Sequence, residues 1–245
     1  MDYLIFILSF ILMSVYSPPD FKQEQLKYSR VREAYAAKES TLKNQYQLLQ
    51  LNLYSQQTFI RVFKQEKKLE VWSKDSQHSS YVLIKTWNIC AASGNPGPKR
   101  KQGDNQVPEG VYSIDRFNPV SSFYLSLGLN YPNASDRILS DANYPGGDIF
   151  IHGNCVSIGC MAMTDDVIKE IYVICTEARQ NGQHKIPVHV FPFKMTEANM
   201  NVYCATYPQH KGFWTNLKTV YTYWEENHNL PIITTTDKGY YLIQE

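Results

Sequence analysis

Charge is scarce in this chain and nearly balanced: Asp, Glu, Lys and Arg make up 19% of the 245 residues, and the formal net charge is +1. A typical soluble domain carries about a quarter charged residues, and nucleic-acid binders concentrate a basic excess on one face. No polyanionic partner is expected, and nucleic acid is excluded from the reading. No apolar run is long enough for a comfortable membrane span, which needs about 20 residues. Self-similar repeats are absent, which excludes a solenoid or an array. Cysteine and histidine lack the paired short spacings of a structural zinc site.

The longest apolar stretch, Met1 to Tyr16, has the length of a secretory signal core, and Ser14 to Ser17 supplies small residues near a cleavage point. It departs from the ideal in two ways: only Asp2 precedes the apolar run, with no positive residue, and Pro18 and Pro19 crowd the cleavage site. No cysteine follows closely, so a lipoprotein anchor is not expected. Residues 1–17 are read as a signal peptide, or as an anchor if uncleaved, and the chain as exported to the periplasm or cell envelope. Membrane association is expected only in the uncleaved case.

Cysteines stand at 90, 155, 160, 175 and 204. An odd count in an exported chain leaves at least one thiol unpaired unless a second chain takes part. If Cys160 is the working thiol, the other four can form up to two bridges in three connectivities. The alternative, preferred for Cys90, Cys175 and Cys204, is that they are small core residues. Cys155 reads as a loop or core residue. The 18 tyrosines suit half-buried strands and wet grooves, as in a protein that handles polar polymers.

Asp20 is placed to cap a helix, with Gln23 reaching back, and Leu26, Tyr35, Leu42, Tyr46, Leu49 and Leu53 recur at helical spacing. From Thr58 the period changes to two. Strands are expected around Phe59–Phe63, Leu69–Ser73, Ser80–Ile89, Gly110–Phe117, Phe123–Leu129, Asp148–His152 and Ile186–Phe193. Thr164–Asn181 reads as a helix, with Asp165 and Asp166 in its first turn and Gly182 past its end. Pro132 to Gly147 reads as a long loop, and the tail holds a helical stretch around Trp214–Glu226. The expectation is a mixed, β-rich α+β fold. Its divisions are a helical arm over 18–56, a catalytic core over 57–195 and a C-terminal extension over 196–245.

The chemistry-bearing segment runs Ile149 to Thr164, I-F-I-H-G-N-C-V-S-I-G-C-M-A-M-T. His152 ends an apolar strand, and Cys160 follows eight residues later, behind Gly159. A thiol attacks a carbonyl as thiolate, so it needs a base or cation to lower its pKa from about 8.5. An imidazole returned to it by a short connection supplies that. Gly153 and Gly159 let backbone amides approach a reacting carbonyl, as an oxyanion hole requires. A metal alternative exists, with His152, Cys155 and Cys160 as ligands, but the fourth ligand would be distant.

The run H-G-N-C-V-S-I-G-C resembles the active-site signature of L,D-transpeptidases, the YkuD-like catalytic domain, and the wider sequence resembles its YafK-like branch. The segments that carry the second likeness are G-P-K-R-K-Q-G-D at 97–104, V-P-E-G at 107–110, S-F-Y-L-S-L at 122–127, N-Y-P at 130–132 and G-G-D-I-F-I-H-G-N-C at 146–155. The likeness covers roughly 20–193. It implies a YkuD-like β-sandwich or mixed-sheet core in which Cys160 is the nucleophile and His152 its proton acceptor. Ser157 and Gly159 would shape the loop and oxyanion site.

It also implies acyl transfer on peptidoglycan stem peptides, with a second amine or a wall-linked protein as the other partner, and no metal or organic cofactor. Two positions depart from the commoner S-H-G-C-I-R pattern: Ile158 replaces a histidine and Ala162 an arginine. Recognition of substrate carboxylates then falls to another base. The candidates are Lys99, Arg100 and Lys101, with Arg137 as a further one, because an arginine can hold a carboxylate bidentately.

Overall fold

The computed structural model describes residues 20–244, so the apolar leader lies outside the described residues. Asp20 caps helix α1 (Phe21–Leu26), its carboxylate accepting from the Gln23 amide. Helix α2 (Ser29–Leu48) follows and buries Val31, Ala34, Tyr35, Leu42 and Tyr46, the apolar face visible in the sequence. Strand β1 (Gln57–Phe63) pairs with β2 (Lys68–Lys74), and β2 with β3 (Val82–Asn88). Further along come β4 (Gly110–Asn118), β5 (Ser126–Leu129), β6 (Phe150–His152), β7 (Met161–Ala162) and β8 (Ile186–Phe191).

These strands form one eight-stranded sheet in the order β3-β2-β1-β8-β4-β5-β6-β7. It is a mixed sheet, with β1–β8 and β6–β7 parallel and the other pairs antiparallel. β1 is buried along almost its whole length, whereas β2 alternates buried with half-buried residues. That contrast follows from position, since a central strand covered on both faces has no need of polar alternation.

Helix α4 (Asp165–Gln180), capped by Thr164, packs with α2 on one side of the sheet. Ile168, Ile171, Ile174 and Ala178 there meet Val62, Leu127, Ile151 and Val188 in the main core. A second core gathers Phe63, Phe191 and Phe193 with Trp214, Leu217 and Val220 of α6 (Lys211–Asn227).

Two helices went unseen in the sequence. The stretch read as a loop over 132–147 contains α3 (Ala134–Leu139), started by a capping box between Asn133 and Asp136. The tail contains α5 (Glu197–Thr206), capped by Thr196, ahead of α6. It ends in the hairpin β9 (Ile232–Thr235) and β10 (Tyr241–Gln244). The tail is tied to the sheet domain through the fully buried Glu109 carboxylate. That carboxylate accepts from Trp214 Nε1 at 2.8 Å, from the Gly97 amide at 2.7 Å and from Lys64 Nζ at 2.8 Å. A buried charge is tolerable only when so completely paired.

Replacing Trp214 by Ala removes both the largest side chain of the second core and one donor to Glu109. We expect a loss of about 3–5 kcal/mol in urea-induced unfolding. A loss under about 1 kcal/mol would show that the tail is not part of the cooperative unit.

Candidate active site

Strand alternation sorts the residues of β6 and β7 onto two faces. Ile151 and Met161, paired in register, belong to the main core. His152 pairs with Ala162 on the opposite face; Phe150 and Cys160 stand two positions earlier, and continued alternation puts Cys160, just ahead of β7, on that face as well. With strands about 4.8 Å apart and a two-residue offset of about 6.6 Å, the His152 and Cys160 Cα atoms lie roughly 8 Å apart as diagonal neighbours. Residues 153–160 make the connection, and β6 and β7 run parallel rather than as a hairpin.

His152 is buried, with the Phe123 ring 4.6 Å away, centroid to centroid. Its Nδ1 lies 2.6 Å from the Gly153 carbonyl oxygen. A carbonyl only accepts, so the neutral ring carries its hydrogen on Nδ1 and its lone pair on Nε2. Burial pushes the imidazole below its ordinary 6.5, with the Gly153 carbonyl opposing. The ring is a neutral base at neutral pH.

The thiol of Cys160 is half-buried, its Sγ 3.6 Å from the Asp148 carbonyl oxygen, and no hydrogen bond joins it to His152 among the described residues. Burial pushes this thiol above its ordinary 9.0. The Phe150 amide opposes that shift, Asp148 adds to it, and Lys99 weakly opposes it. The sequence led us to expect a thiol lowered by the imidazole. The resting pair is instead thiol and neutral imidazole, because desolvation penalises both charged forms.

The backbone of Cys160 is clamped. Ser157 Oγ accepts from the Cys160 amide at 2.9 Å and donates to the Cys160 carbonyl at 2.8 Å. Gly159 adopts φ +87°, which only glycine takes without strain. Gly153 is required by crowding: a Cβ there would stand 2.6 Å from Asp165 Oδ1 and 3.0 Å from the Phe123 carbonyl. The amides of these two glycines are themselves engaged. Gly153 N–H donates to the Leu125 carbonyl at 3.2 Å and Gly159 N–H to Ser93 Oγ at 2.7 Å. Both glycines shape the loop, and their amides are committed.

A disulfide joins Cys90 to Cys155 and pins this loop to the segment beside β7, where Ala91 bridges Ala162. Cys90 is therefore not a free core residue, and Cys155, oxidised, offers no thiolate to a metal. Cys175 is free and buried, as expected, and Cys204 is free and half-buried.

A cleft of about 440 Å³ opens beside Cys160, lined by Lys99, Gln102, Gly103, Asn105, Ile158, Gly159 and the loop 143–149. The lining stops at Asp148, Ile149 and Gly159, which flank Cys160 without including it or His152. Of the basic candidates only Lys99 lines the cleft, and it is buried, its Nζ held by Asp104 at 2.7 Å and the Lys101 carbonyl at 2.9 Å. Arg100 turns away to Asp136 at 3.3 Å and onto the Phe213 ring. Lys101 and Arg137 are exposed and line no part of the cleft.

The L,D-transpeptidase catalytic domain of the YkuD family matches residues 57–190. The provisionally named L,D-transpeptidase YafK of Escherichia coli K12 is 39% identical over 184 residues, 74% of this chain and 72% of that protein. The chain belongs to the YkuD L,D-transpeptidase family. The YafK protein of Escherichia coli O157:H7 shows the same 39% identity. Among solved structures, a point mutant of the helical cell shape determining protein Pgp2 from Campylobacter jejuni superposes with a TM-score of 0.45 at 22% identity. That likeness takes in 70% of this chain, which spans 60% of the Pgp2 chain. Bd1075 of Bdellovibrio bacteriovorus gives a TM-score of 0.40 at 22% identity, over 66% of this chain and 57% of that one.

Within this YkuD domain the two departures from the commoner pattern have different surroundings. Ile158 is 78% exposed on the rim of the cleft, whereas Ala162 is fully buried beneath the Cys90–Ala91 backbone. An arginine at 162 has no room. Sequence reasoning missed Phe123 as the cover of His152, although S-F-Y-L-S-L was among the motifs noticed.

Labelling of Cys160 with iodoacetamide across pH should report a thiol titrating above 9.0 in the free protein. A midpoint well below that value would show a resting thiolate and contradict the neutral pair.

Proposed function

We propose that this L,D-transpeptidase family member acts on peptidoglycan stem peptides in the cell envelope through a Cys160 thioester. Cys160 Sγ attacks the carbonyl on the L-centre of diaminopimelate while His152 Nε2 takes the thiol proton. The carbon–sulfur bond forms, the bond to the terminal D-Ala nitrogen breaks, and the imidazolium returns its proton to the leaving amine. The thioester then passes to an amine acceptor, which gives a cross-link, and the scheme calls for no cofactor. The observation that carries this reading is the shared face of His152 and Cys160 together with the Nδ1–Gly153 hydrogen bond, which leaves Nε2 as the acceptor. Proton transfer from the neutral thiol to the neutral imidazole creates a thiolate–imidazolium pair, so the transfer is coupled to attack of the sulfur on the carbonyl.

Hydrolysis of the same thioester is the second reading, as a carboxypeptidase or an amidase that releases wall-linked protein. A non-catalytic wall-binding module is the remaining alternative, favoured by the loss of the pattern histidine and arginine at Ile158 and Ala162.

Muropeptides digested with wild type and with Cys160→Ala, followed by mass spectrometry, separate the three. Transpeptidation gives heavier cross-linked products, hydrolysis gives trimmed stems or released protein, and both vanish in the variant. A variant equal to wild type overturns the enzymatic reading. His152→Gln should lower turnover by about 10²–10⁴-fold. Acylation by a carbapenem should reach half its maximal rate below pH 6.5, because burial keeps the imidazole deprotonated to a lower pH than a free ring. A rate that climbs steadily towards pH 9.0 would instead mark unaided thiol ionisation.

A further inference from the structure

Arg116 sits on the nucleophile's face of the sheet because β4 carries a bulge. Ile114 pairs with Leu129, but Arg116, not Asp115, pairs with Gly128, so the register shifts between them. Without the extra residue, Arg116 would follow Ile114 onto the core face, since alternate residues share a face. The bulge turns Arg116 outward, while Phe117 packs against the core. Gly128 in turn pairs with Phe150. One row thus crosses the sheet from Arg116 over Gly128 to Phe150, with Cys160 beside it.

The side chain follows that row. A Cβ on Gly128 would stand 2.8 Å from Arg116 Nε, so the missing side chain is what lets the arginine lie flat across the strand. Its guanidinium carbon is 4.9 Å from the Phe150 ring centroid. Two carboxylates meet it, Asp115 at 3.1 Å from Nε and Asp148 at 3.1 Å from a terminal nitrogen. Asp148 joins the arginine to the nucleophile, since its carbonyl oxygen receives the Cys160 Sγ contact and the residue lines the cleft. Yet the Asp148 side chain is 81% exposed and makes a single contact, at a backbone φ of +55°. It is a weakly held carboxylate on a half-exposed guanidinium, and its own backbone carbonyl contacts the Cys160 sulfur.

We propose that Arg116 is the carboxylate-binding residue of the acyl-donor subsite, with Asp148 as an internal stand-in that the substrate displaces. The inference rests on the stem-peptide reading of the site and names the group recognised: the free carboxylate on the far centre of the diamino acid whose carbonyl Cys160 attacks. That carboxylate lies about six bonds from the acyl carbon, some 7 Å when extended. Phe150 is the neighbour of Cys160 across one strand spacing of about 4.8 Å, so a guanidinium over its ring falls within that reach. A planar guanidinium pairs with a carboxylate through parallel hydrogen bonds, which a lysine does not reproduce. Arg116 thereby fills the part left open by Ala162.

The test is binding, measured by calorimetry on the full chain carrying Cys160→Ala so that the ligand stays intact. The ligands are a diaminopimelate tetrapeptide and the same peptide amidated on the far carboxylate. The acid should bind about tenfold more tightly than the amide. Adding Arg116→Gln should erase that preference and leave amide binding unchanged. Adding Asp148→Asn should strengthen binding of the acid, since the competing carboxylate is gone. A preference that survives Arg116→Gln, acid and amide binding equally, or no gain with Asp148→Asn would overturn the subsite while leaving the enzymatic reading intact. Binding of neither peptide would overturn the stem-peptide reading itself.

Discussion

The hydrogen bond between His152 Nδ1 and the Gly153 carbonyl governs the chemistry available to this protein. A ring whose Nδ1–H is held by a carbonyl presents Nε2 as an acceptor, and burial keeps that acceptor unprotonated. The bond needs the chain to turn sharply after β6, and the turn needs Gly153, because the Phe123 carbonyl and the Asp165 carboxylate close in on the position. Asp165 accepts from the Asn154 amide at 2.7 Å, so the first turn of α4 holds the same corner. The His152 ring is thus oriented by backbone and helix, not by another side chain.

The thiol is handled differently. Its backbone is fixed by Ser157 on one side and by the Cys90–Cys155 bridge further along the loop, while its side chain stays half-buried and protonated. Keeping both partners neutral at rest protects the thiol. A protonated thiol is less open to oxidation than a standing thiolate, and ionisation is deferred until a carbonyl is in place. Catalytic hydrogen bonds are often long before substrate binds.

Much of this was legible in the residues. Asp20 announced its helix by capping chemistry and α4 was marked by Asp165 and Asp166 in its first turn and Gly182 past its end, while the burial of Tyr35, Leu42 and Tyr46 follows their helical spacing. The family resemblance of the H-G-N-C-V-S-I-G-C run agrees with the YkuD match over 57–190. What escaped has physical causes. Pro132, Asn133, Gly146 and Gly147 are loop punctuation, and they hid the short helix α3, whose capping box was nevertheless present. Disulfide partners separated by 65 residues cannot be paired from spacing. Lys99, Arg100 and Lys101 were grouped by adjacency, but adjacent side chains diverge, and only Lys99 reached the cleft. Arg116 looked like one more alternating residue, because a bulge leaves no mark on the hydrophobic pattern.

The central claim concerns the protonation of one ring, and nitrogen NMR of the His152 imidazole tests it most directly. At neutral pH the account predicts a neutral ring with its hydrogen on Nδ1 and a bare Nε2, converting to imidazolium only below pH 6.5. A ring hydrogenated on Nε2, or charged at neutral pH, would leave Cys160 without a base and contradict it.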